Sequence, residues 1–374
     1  MEGLVIVKIG IITLNSYFNY GNRLQNYALQ TYLNELADNI MVDTIWYTKD
    51  NYKPRQKLVT FKNLRRFILN RHGFRDEISK GIIFNEAIKQ YNIKKFSDKY
   101  ISTVFDYEIK DDLNYRYDFF VVGSDQIWNP MFVDCKNEFL QFADFNKRIA
   151  YSASIGVSEI PEKKKAYFAE CMKGMKHISV REEQGAKIVH SITGMDVPVL
   201  IDPTLLLNRE AWERIIKKPD WMKNEKYILV FFLEKLPQLV RKEVERLAID
   251  HNLKEIELMN KENIDFYTNS PDEFLWLIKN ANLVYTDSFH CTVFSIIWNV
   301  PFVNCSREHK EMNMDSRMDT LLGLFNLRNR KTDKSKKYII ENPLEIKYTD
   351  IEKILEPERE KSRKYLMNAL KLKA

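Results

Sequence analysis

The chain has 374 residues, of which 45% are hydrophobic and 29% charged, with 11 Gly and 11 Pro, and this composition excludes a fibrous or disordered protein. Its length suits two domains of ordinary size. No run approaches the roughly 18 apolar residues that a spanning helix needs, and the four cysteines form no CxxC pair, which argues against a zinc site or a disulfide framework. We therefore expect a reduced cytoplasmic protein.

The net charge of +6 is small for this length but unevenly distributed, because residues 49–116 carry 16 Lys and Arg against 9 Asp and Glu. Such a basic segment could contact phosphates, anionic lipid head groups or an acidic polymer. The commoner alternative is a pair of solvated amphipathic helices with long basic side chains. We interpret it as a helical insertion that caps the first lobe, with helices near residues 61–70 and 75–96.

The first predicted unit is a strand, a polar loop and a helix. Residues 8–14 are mostly apolar, residues 15–22 are rich in turn formers, and apolar side chains recur at helical spacing over residues 23–36. The loop lacks the glycines of a dinucleotide fingerprint and the lysine of a phosphate loop. A polar turn before a helix nevertheless suits a hydroxylated or anionic ligand. The candidate ligand-binding residues of this turn are Asn19, Tyr20, Gly21, Asn22 and Arg23.

After a second strand at residues 40–47, the next central strand, residues 117–122, ends in small polar groups. Gly123 permits a close backbone approach, and Ser124 and Asp125 offer a hydroxyl and a carboxylate. Trp128 offers a stacking face of the kind that sugar-binding sites use. The alternative is that Asp125 caps a helix and Trp128 belongs to the core.

From residue 148 to residue 201 short strands and helices alternate, which predicts a parallel sheet covered by helices. Arg181 and Asp202 come directly after two of these strands. A guanidinium at a strand end can hold a carboxylate or a phosphate through two hydrogen bonds. As a structural residue, Arg181 could equally pair with the neighbouring Glu182 or Glu183.

The same alternation returns after a connecting segment at residues 205–224. The sequence therefore predicts an α/β protein with two doubly wound Rossmann-like lobes facing a cleft. We place the first lobe at residues 1–207 and the second at residues 208–350. A charged amphipathic helix at residues 351–374 is expected to pack back across the lobes.

The turn at residues 286–291 (TDSFHC) joins a buried strand to a helix in the second lobe. Open α/β sheets place ligands at such turns, because backbone amides and polar side chains converge there. An imidazole at this position, His290, can donate a proton or contact an anion. The alternative is a simple helix start, with Asp287 or Ser288 as the cap and His290 as a half-buried bystander.

Five short motifs occur along the chain, and together, in this order, they are far more specific than any one of them alone. They are residues 19–29 (NYGNRLQNYAL), 122–129 (VGSDQIWN), 179–182 (SVRE), 201–204 (IDPT) and 286–290 (TDSFH). With these stretches the sequence resembles the polysaccharide pyruvyl transferase family. The resemblance implies a fold like that of glycosyltransferase B enzymes. It also implies transfer of the pyruvyl group of phosphoenolpyruvate to two hydroxyls of one cell-surface or exopolysaccharide sugar, giving a ketal and phosphate without a metal or organic cofactor.

By this resemblance Arg181 matches an arginine that contacts phosphoenolpyruvate, and His290 matches the proposed general acid. Many relatives have a second arginine two residues before the histidine, where this chain has Ser288. Donor binding would then depend on Arg181, Arg23, backbone amides or a basic residue from elsewhere. Asp125 is the candidate that deprotonates or orients an acceptor hydroxyl. The full set of candidate substrate-binding residues is Asn19, Tyr20, Gly21, Asn22, Arg23, Gly123, Ser124, Arg181, Asp202 and Ser288.

The first lobe is the expected acceptor side and the second lobe the donor side. The expected partners are phosphoenolpyruvate and a glycan or lipid-linked sugar, with no nucleic acid, and the basic segment would suit the inner face of a membrane. One alternative is a transferase of the same fold with another donor, such as a nucleotide sugar. Another is a non-catalytic glycan-binding protein, whose function would survive replacement of His290.

Overall fold

The computed structural model describes residues 5–47, 77–106, 112–131, 136–307 and 315–372. The helix expected near residues 61–70 lies outside these ranges. The strands are β1 (Val7–Ile12), β2 (Ile40–Trp46), β3 (Thr103–Phe105), β4 (Phe119–Val122), β5 (Arg148–Ala153), β6 (His177–Val180), β7 (Tyr227–Phe231), β8 (Lys254–Glu257), β9 (Leu283–Thr286), β10 (Phe302–Cys305) and β11 (Lys331–Thr332).

Helices alternate with these strands along the chain. They are α1 (Tyr20–Asn34), α2 (Glu77–Tyr100), α3 (Leu113–Arg116), α4 (Glu162–Lys173), α5 (Glu183–Thr193), α6 (Arg209–Glu213), α7 (Gln238–Asp250), α8 (Ile264–Tyr267), α9 (Pro271–Lys279), α10 (Phe289–Ile297), α11 (Ser316–Leu324) and α12 (Ile351–Ala369). Single 3-10 turns lie at Lys136–Phe139, Phe145–Lys147, Pro203–Leu205 and Arg328–Arg330.

The first lobe is built on a parallel sheet with the strand order β3-β2-β1-β4-β5-β6. This is the order of a classical dinucleotide-binding sheet, and its direction reverses between β1 and β4. The strands on either side of that reversal are apolar runs, and every residue of β4 is buried, as expected for a parallel sheet covered by helices on both faces. The reversal is therefore where a ligand-binding crevice is expected.

The second lobe is built on a parallel sheet with the order β11-β10-β9-β7-β8. Its direction reverses between β7 and β9, which is the pattern of the other common doubly wound sheet. All residues of β7 and β9 are buried. The prediction of an α/β fold with two doubly wound lobes is confirmed.

The basic segment is more closely integrated than expected. Its end contributes β3, the edge strand of the first sheet, and α2 contacts the second lobe as well as the first. The Asn85 side-chain amide donates to the carbonyl of Lys261 (2.9 Å), and that of Asn92 donates to the carbonyl of Thr268 (2.6 Å). Helix α2 is thus a bridge between the lobes and not only a cap on the first, because polar residues on one of its faces bind backbone of the second lobe.

Helix α12 lies against the first lobe. The Arg359 guanidinium donates to the carbonyls of Leu205 (2.9 Å) and Leu207 (3.1 Å), and the Tyr365 hydroxyl donates to the carbonyl of Ala150 (2.8 Å). The chain therefore returns from the second sheet to the first at its C-terminal end. Among the helices that the structure describes, none combines the length and apolar character that crossing a membrane requires.

Candidate active site

The turn after β9 is fixed by its own side chains. The Thr286 hydroxyl donates to the carbonyl of Phe231 (2.6 Å) and accepts from the backbone N–H of Ser288 (3.0 Å). The Ser288 hydroxyl caps α10 by accepting from the N–H of Cys291 (3.4 Å). This cap explains why a small hydroxylated residue suits position 288.

Asp287 connects this turn to the loop after β7. Its carboxylate accepts from the backbone N–H groups of Leu233 (2.8 Å) and Glu234 (3.3 Å), and from Nε of Arg307 (3.0 Å). The two loops at the reversal of the second sheet are therefore held together by one buried carboxylate. Asp287 therefore has a structural role, which is to stabilise the position of these two loops.

His290 projects from the first turn of α10 against the start of α1. A Cβ atom added at Gly21 would lie 2.2 Å from Nδ1 of His290, so only glycine permits this contact without displacement. On the other side, Nε2 of His290 lies 3.6 Å from Oδ2 of Asp202. The imidazole is only 5% exposed. Nε2 makes no hydrogen bond to the described residues.

Arg181, directly after β6, is held by the carboxylates of Asp202 and Asp125, and its Nε lies 4.0 Å from Oε2 of the neighbouring Glu182. Its Nη1 donates to Oδ2 of Asp202 (2.6 Å) and its Nη2 donates to Oδ1 of Asp125 (3.3 Å). The guanidinium also lies over the ring of Phe289, 4.2 Å from the ring centre, where a cation is attracted to the aromatic face. Arg181 thus joins residues of the first lobe to the N-terminus of α10.

Arg317, on α11, was not predicted as a site residue. Its Nη1 lies 3.6 Å from Oδ1 of Asp125, so Asp125 lies between two arginines. The side chain is buried, and Nε has no hydrogen-bond partner among the described residues. Arg317 places a second cation at a site where the chain has Ser288 in place of an arginine. Because Ser288 occupies the position of that arginine, a basic residue from elsewhere in the chain was expected at the site. No sequence motif indicated that this residue is Arg317.

Burial and charge act in opposite directions on the pKa values of the two aspartates. Burial raises the pKa of the Asp202 carboxyl, but the contacts with His290 and Arg181 outweigh it and hold that pKa well below the usual range. Burial likewise raises the pKa of Asp125, and its interactions with His290, Arg181 and Arg317 bring it below its ordinary value. For Arg317, burial and the nearby Arg181 lower the pKa to about 10. The aspartates are therefore ionised and both arginines are charged at neutral pH.

A cavity of about 290 Å³ opens beside the cluster, and we call it the active-site cavity. Arg181, Asp202, Phe289 and Arg317 are among the buried or cluster residues that line it. The exposed Arg328 and Lys361 also line it. Its size and charges suit a small anionic substrate. Within the described ranges, no group of three or more His, Cys, Asp or Glu side chains could hold a metal ion.

The structure also brings Gly123 and Ser124 to this cluster. The Ser124 hydroxyl donates to Oδ2 of Asp202 (3.0 Å). A Cβ atom at Gly123 would lie 2.1 Å from the carbonyl oxygen of Tyr151, so glycine is required for the loop to approach β5. The residues predicted from sequence that meet in one place are Gly21, Gly123, Ser124, Asp125, Arg181, Asp202 and His290.

Other predicted residues have structural partners. Asn19 caps α1 by accepting from the N–H of Asn22 (3.3 Å), and Tyr20 stacks on Phe274 of the second lobe, with ring centres 4.7 Å apart. The structure does not bring Arg23 to the cluster. Instead, its Nη2 donates to the carbonyl of Leu14 (2.7 Å). Ser288, as described above, serves as the cap of α10.

Trp128 is a core residue and not a stacking face. It is fully buried, its indole N–H donates to the carbonyl of Glu138 (2.8 Å), and its ring stacks on Phe139 with centres 5.3 Å apart. Because both faces and the polar edge are enclosed, a sugar cannot reach it. The core alternative for Trp128 is therefore correct.

Solved structures are similar to the chain at low sequence identity. The chain is similar to UDP-GlcNAc 2-epimerase from Neisseria meningitidis bound to UDP-GlcNAc, with a TM-score of 0.40, 10% identity and coverage of 97% of this chain and 100% of that one. It is also similar to E. coli ADP-heptose lps heptosyltransferase II, with a TM-score of 0.35, 8% identity and coverage of 97% and 98%. These likenesses are too distant to indicate a reaction.

A search of curated proteins gives no significant match. The sequence model of one family does match, and it spans residues 19–309. That range contains the five stretches quoted above and every residue of the cluster except Arg317. Because the match covers well over half of the chain, the protein belongs to the polysaccharide pyruvyl transferase family.

Proposed function

We propose that the protein transfers the pyruvyl group of phosphoenolpyruvate to two hydroxyls of one sugar, forming a cyclic ketal and releasing phosphate. The observation that carries this proposal is one cavity bounded by two buried arginines, next to a buried histidine at the N-terminus of a helix. A donor that bears a carboxylate and a phosphate needs fixed cations. A proton donor is needed beside them.

Arg181 and Arg317 would bind the donor. Arg181 is oriented by Asp202 and Asp125, and Arg317 is oriented by Asp125. In both arginines Nε makes no hydrogen bond to the described residues, although Nε of Arg181 lies 4.0 Å from the Glu182 carboxylate. The backbone amides at the start of α10 add partial positive charge at the same place. Phosphate and carboxylate groups are thus recognised by charge and by directed hydrogen bonds.

His290 would supply the proton. Protonation of the methylene carbon of phosphoenolpyruvate makes the neighbouring carbon electrophilic, and one sugar hydroxyl attacks it and loses its proton. A second hydroxyl of the same sugar then attacks the same carbon and closes the ketal ring. The bond between that carbon and the phosphate oxygen breaks, and phosphate leaves. The two hydroxyl protons balance the new methyl hydrogen and the proton carried by the released phosphate. Gly21 and Asp202 position the imidazole for these transfers.

Asp125 was the candidate base for the acceptor. Its lowered pKa makes it a weak base, and its contacts with two arginines already occupy one oxygen. These observations support a role in orienting the arginines and an acceptor hydroxyl. They favour that role over proton removal.

Phosphate release from phosphoenolpyruvate, measured across a panel of free and lipid-linked sugars, tests the proposal. We expect His290→Gln to lower the rate by at least about 100-fold and Arg181→Ala to raise the KM for phosphoenolpyruvate. The matched control is His190→Gln, because His190 is an exposed histidine on α5. A rate that is equal in the wild type and His290→Gln contradicts the assignment. Consumption of a nucleotide sugar in place of phosphoenolpyruvate contradicts the donor.

A further inference from the structure

Helix α2 carries a buried lysine at the contact between the two lobes. Lys89 is only 2% exposed. Its Nζ lies 4.8 Å from the ring centre of Tyr20 and 4.4 Å from that of Tyr267, and it donates to Sδ of Met259 (3.3 Å). Tyr20 begins α1 of the first lobe, whereas Tyr267 and Met259 belong to the second lobe. The ammonium group of Lys89 therefore contacts both lobes at once.

The charged neighbours of this contact act at longer range. Glu86, one helical turn earlier on α2, attracts Lys89 and lies 3.5 Å from Nζ of Lys261. Glu273, on α9, acts on Tyr20 from the second lobe. A buried charge without compensating contacts is costly, whereas aromatic faces attract a desolvated ammonium group. The two tyrosine rings therefore help to keep Lys89 charged inside the protein.

The charge of Lys89 depends on pH in the weakly alkaline range. Burial lowers the pKa of Lys89 to about 8, the carboxylate of Glu86 partly offsets this effect, and the ammonium group of Lys261 adds to it. Burial raises the pKa of Tyr20 and, with the hydrogen bond to Glu86, that of Tyr267, so both hydroxyls stay neutral in this range. Lys89 is thus mostly protonated at neutral pH and loses its charge as the pH rises through about 8.

Tyr20 connects this contact to the candidate active site. Its ring stacks on Phe274, and its hydroxyl makes no hydrogen bond to the described residues, so contacts with the ring fix the side chain. The next residue is Gly21, whose Cα borders the imidazole of His290 so closely that an added Cβ would lie 2.2 Å from Nδ1. A shift of Tyr20 therefore moves the backbone against which His290 packs.

We propose that Lys89 is a positioning residue for His290. Its ammonium group holds Tyr20, and with it the first turn of α1, where that turn keeps the imidazole in place. Lys89 does not line the active-site cavity, and it acts through Tyr20 and Gly21. That the imidazole then protonates a substrate rests on the proposed function, whereas its placement by Lys89 does not.

Four proteins test this role, which are the wild type, Lys89→Met, Lys89→Arg and Lys95→Met. Methionine is close to lysine in length and has no charge, whereas arginine keeps its charge at high pH. Lys95→Met is the matched control, since Lys95 is an exposed lysine of the same helix. The first measurement is the ring ¹³C signal of His290 in histidine-labelled protein between about pH 6.5 and 9.5, assigned by its absence from His290→Gln. The second is the kcat and the KM for phosphoenolpyruvate over the same range.

We expect the His290 signal of the wild type to include a step near pH 8, as Lys89 loses its charge. In Lys89→Met this step should be absent, and the signal at neutral pH should already differ from that of the wild type. Lys89→Arg should restore the wild-type signal at neutral pH. The kcat of Lys89→Met should be about tenfold lower at neutral pH, with the KM changed by less than about twofold, because the donor-binding arginines are untouched. Lys95→Met should match the wild type in both measurements.

The inference is overturned if the His290 signal of Lys89→Met equals that of the wild type across this range, whatever its rate. If arginine is too large for the site and Lys89→Arg does not fold, the comparison with Lys89→Met decides. Absence of phosphate release in the wild type with every sugar would count against the proposed function, and the His290 signal would still decide the role of Lys89. Phosphate release by the wild type together with an unmoved His290 signal in Lys89→Met would contradict this inference and leave the proposed function intact.

Discussion

Replacement of Gly21 by Ala tests the contact between the two lobes at the candidate site. The new Cβ atom would lie 2.2 Å from Nδ1, 2.7 Å from Cγ and 3.0 Å from Cε1 of His290, whereas ordinary contacts begin near 3.4 Å. The imidazole must therefore move by more than about 1 Å, and a displacement of that size can lower a rate about 100-fold. The backbone of α1 tolerates Ala, which is the better helix former. The free energy of unfolding should change by less than about 2 kcal/mol.

Two measurements separate the catalytic effect from a structural one. Phosphate release from phosphoenolpyruvate should fall about 100-fold in Gly21→Ala, while urea unfolding remains cooperative. Gly81→Ala is the control, because Gly81 lies in α2 with no atom of the described residues within 4 Å of its added Cβ, and it should leave the rate unchanged. If Gly21→Ala releases phosphate at the wild-type rate, the placement of His290 against α1 is wrong.

Three further predictions concern the same site and its surroundings. Arg317→Met should raise the KM for phosphoenolpyruvate about tenfold or more, since it removes a charge-assisted hydrogen bond, and steady-state kinetics would contradict a donor role if KM stays constant. The pKa values of Asp125 and Asp202 lie below the ordinary 3.8, so the stability from their ionised forms is complete above about pH 4 and declines as the pH falls further. Urea midpoints from pH 5 to pH 2.5 should show this decline, and it should be shallower in Asp125→Asn. Trp128→Phe should lower the free energy of unfolding by about 1–3 kcal/mol without changing the KM for the acceptor. A raised acceptor KM would argue for sugar stacking.

Much of the fold was predictable from sequence because buried parallel strands are short apolar runs separated by helices. The five quoted stretches lie at loops where the chain leaves a strand or enters a helix, so their residues could be named in advance. Arg181 and His290 belong to such loops. Their meeting across the lobes follows from the sheet orders, which local patterns do not reveal.

The residues that sequence missed or misplaced have roles that are set by tertiary contacts. Arg317 lies on α11, and it joins the site only because that helix packs close to Asp125, almost 200 positions earlier. Arg23 is polar and precedes a helix, yet tertiary packing directs it to the carbonyl of Leu14. Trp128 follows a polar turn, but its neighbours enclose it. In each case a tertiary contact, and not the local pattern, decides the role.

An isotope experiment shows whether phosphoenolpyruvate is the donor and His290 its proton source. Wild-type protein and His290→Gln are incubated with phosphoenolpyruvate labelled with ¹³C at its second carbon and with the sugar selected from the acceptor panel. We expect the wild type to convert the enol carbon signal into a ketal carbon signal, with one phosphate released for each ketal. We expect His290→Gln to do so at least about 100-fold more slowly. An unchanged enol signal in the presence of a sugar that the protein modifies from another donor would contradict this assignment.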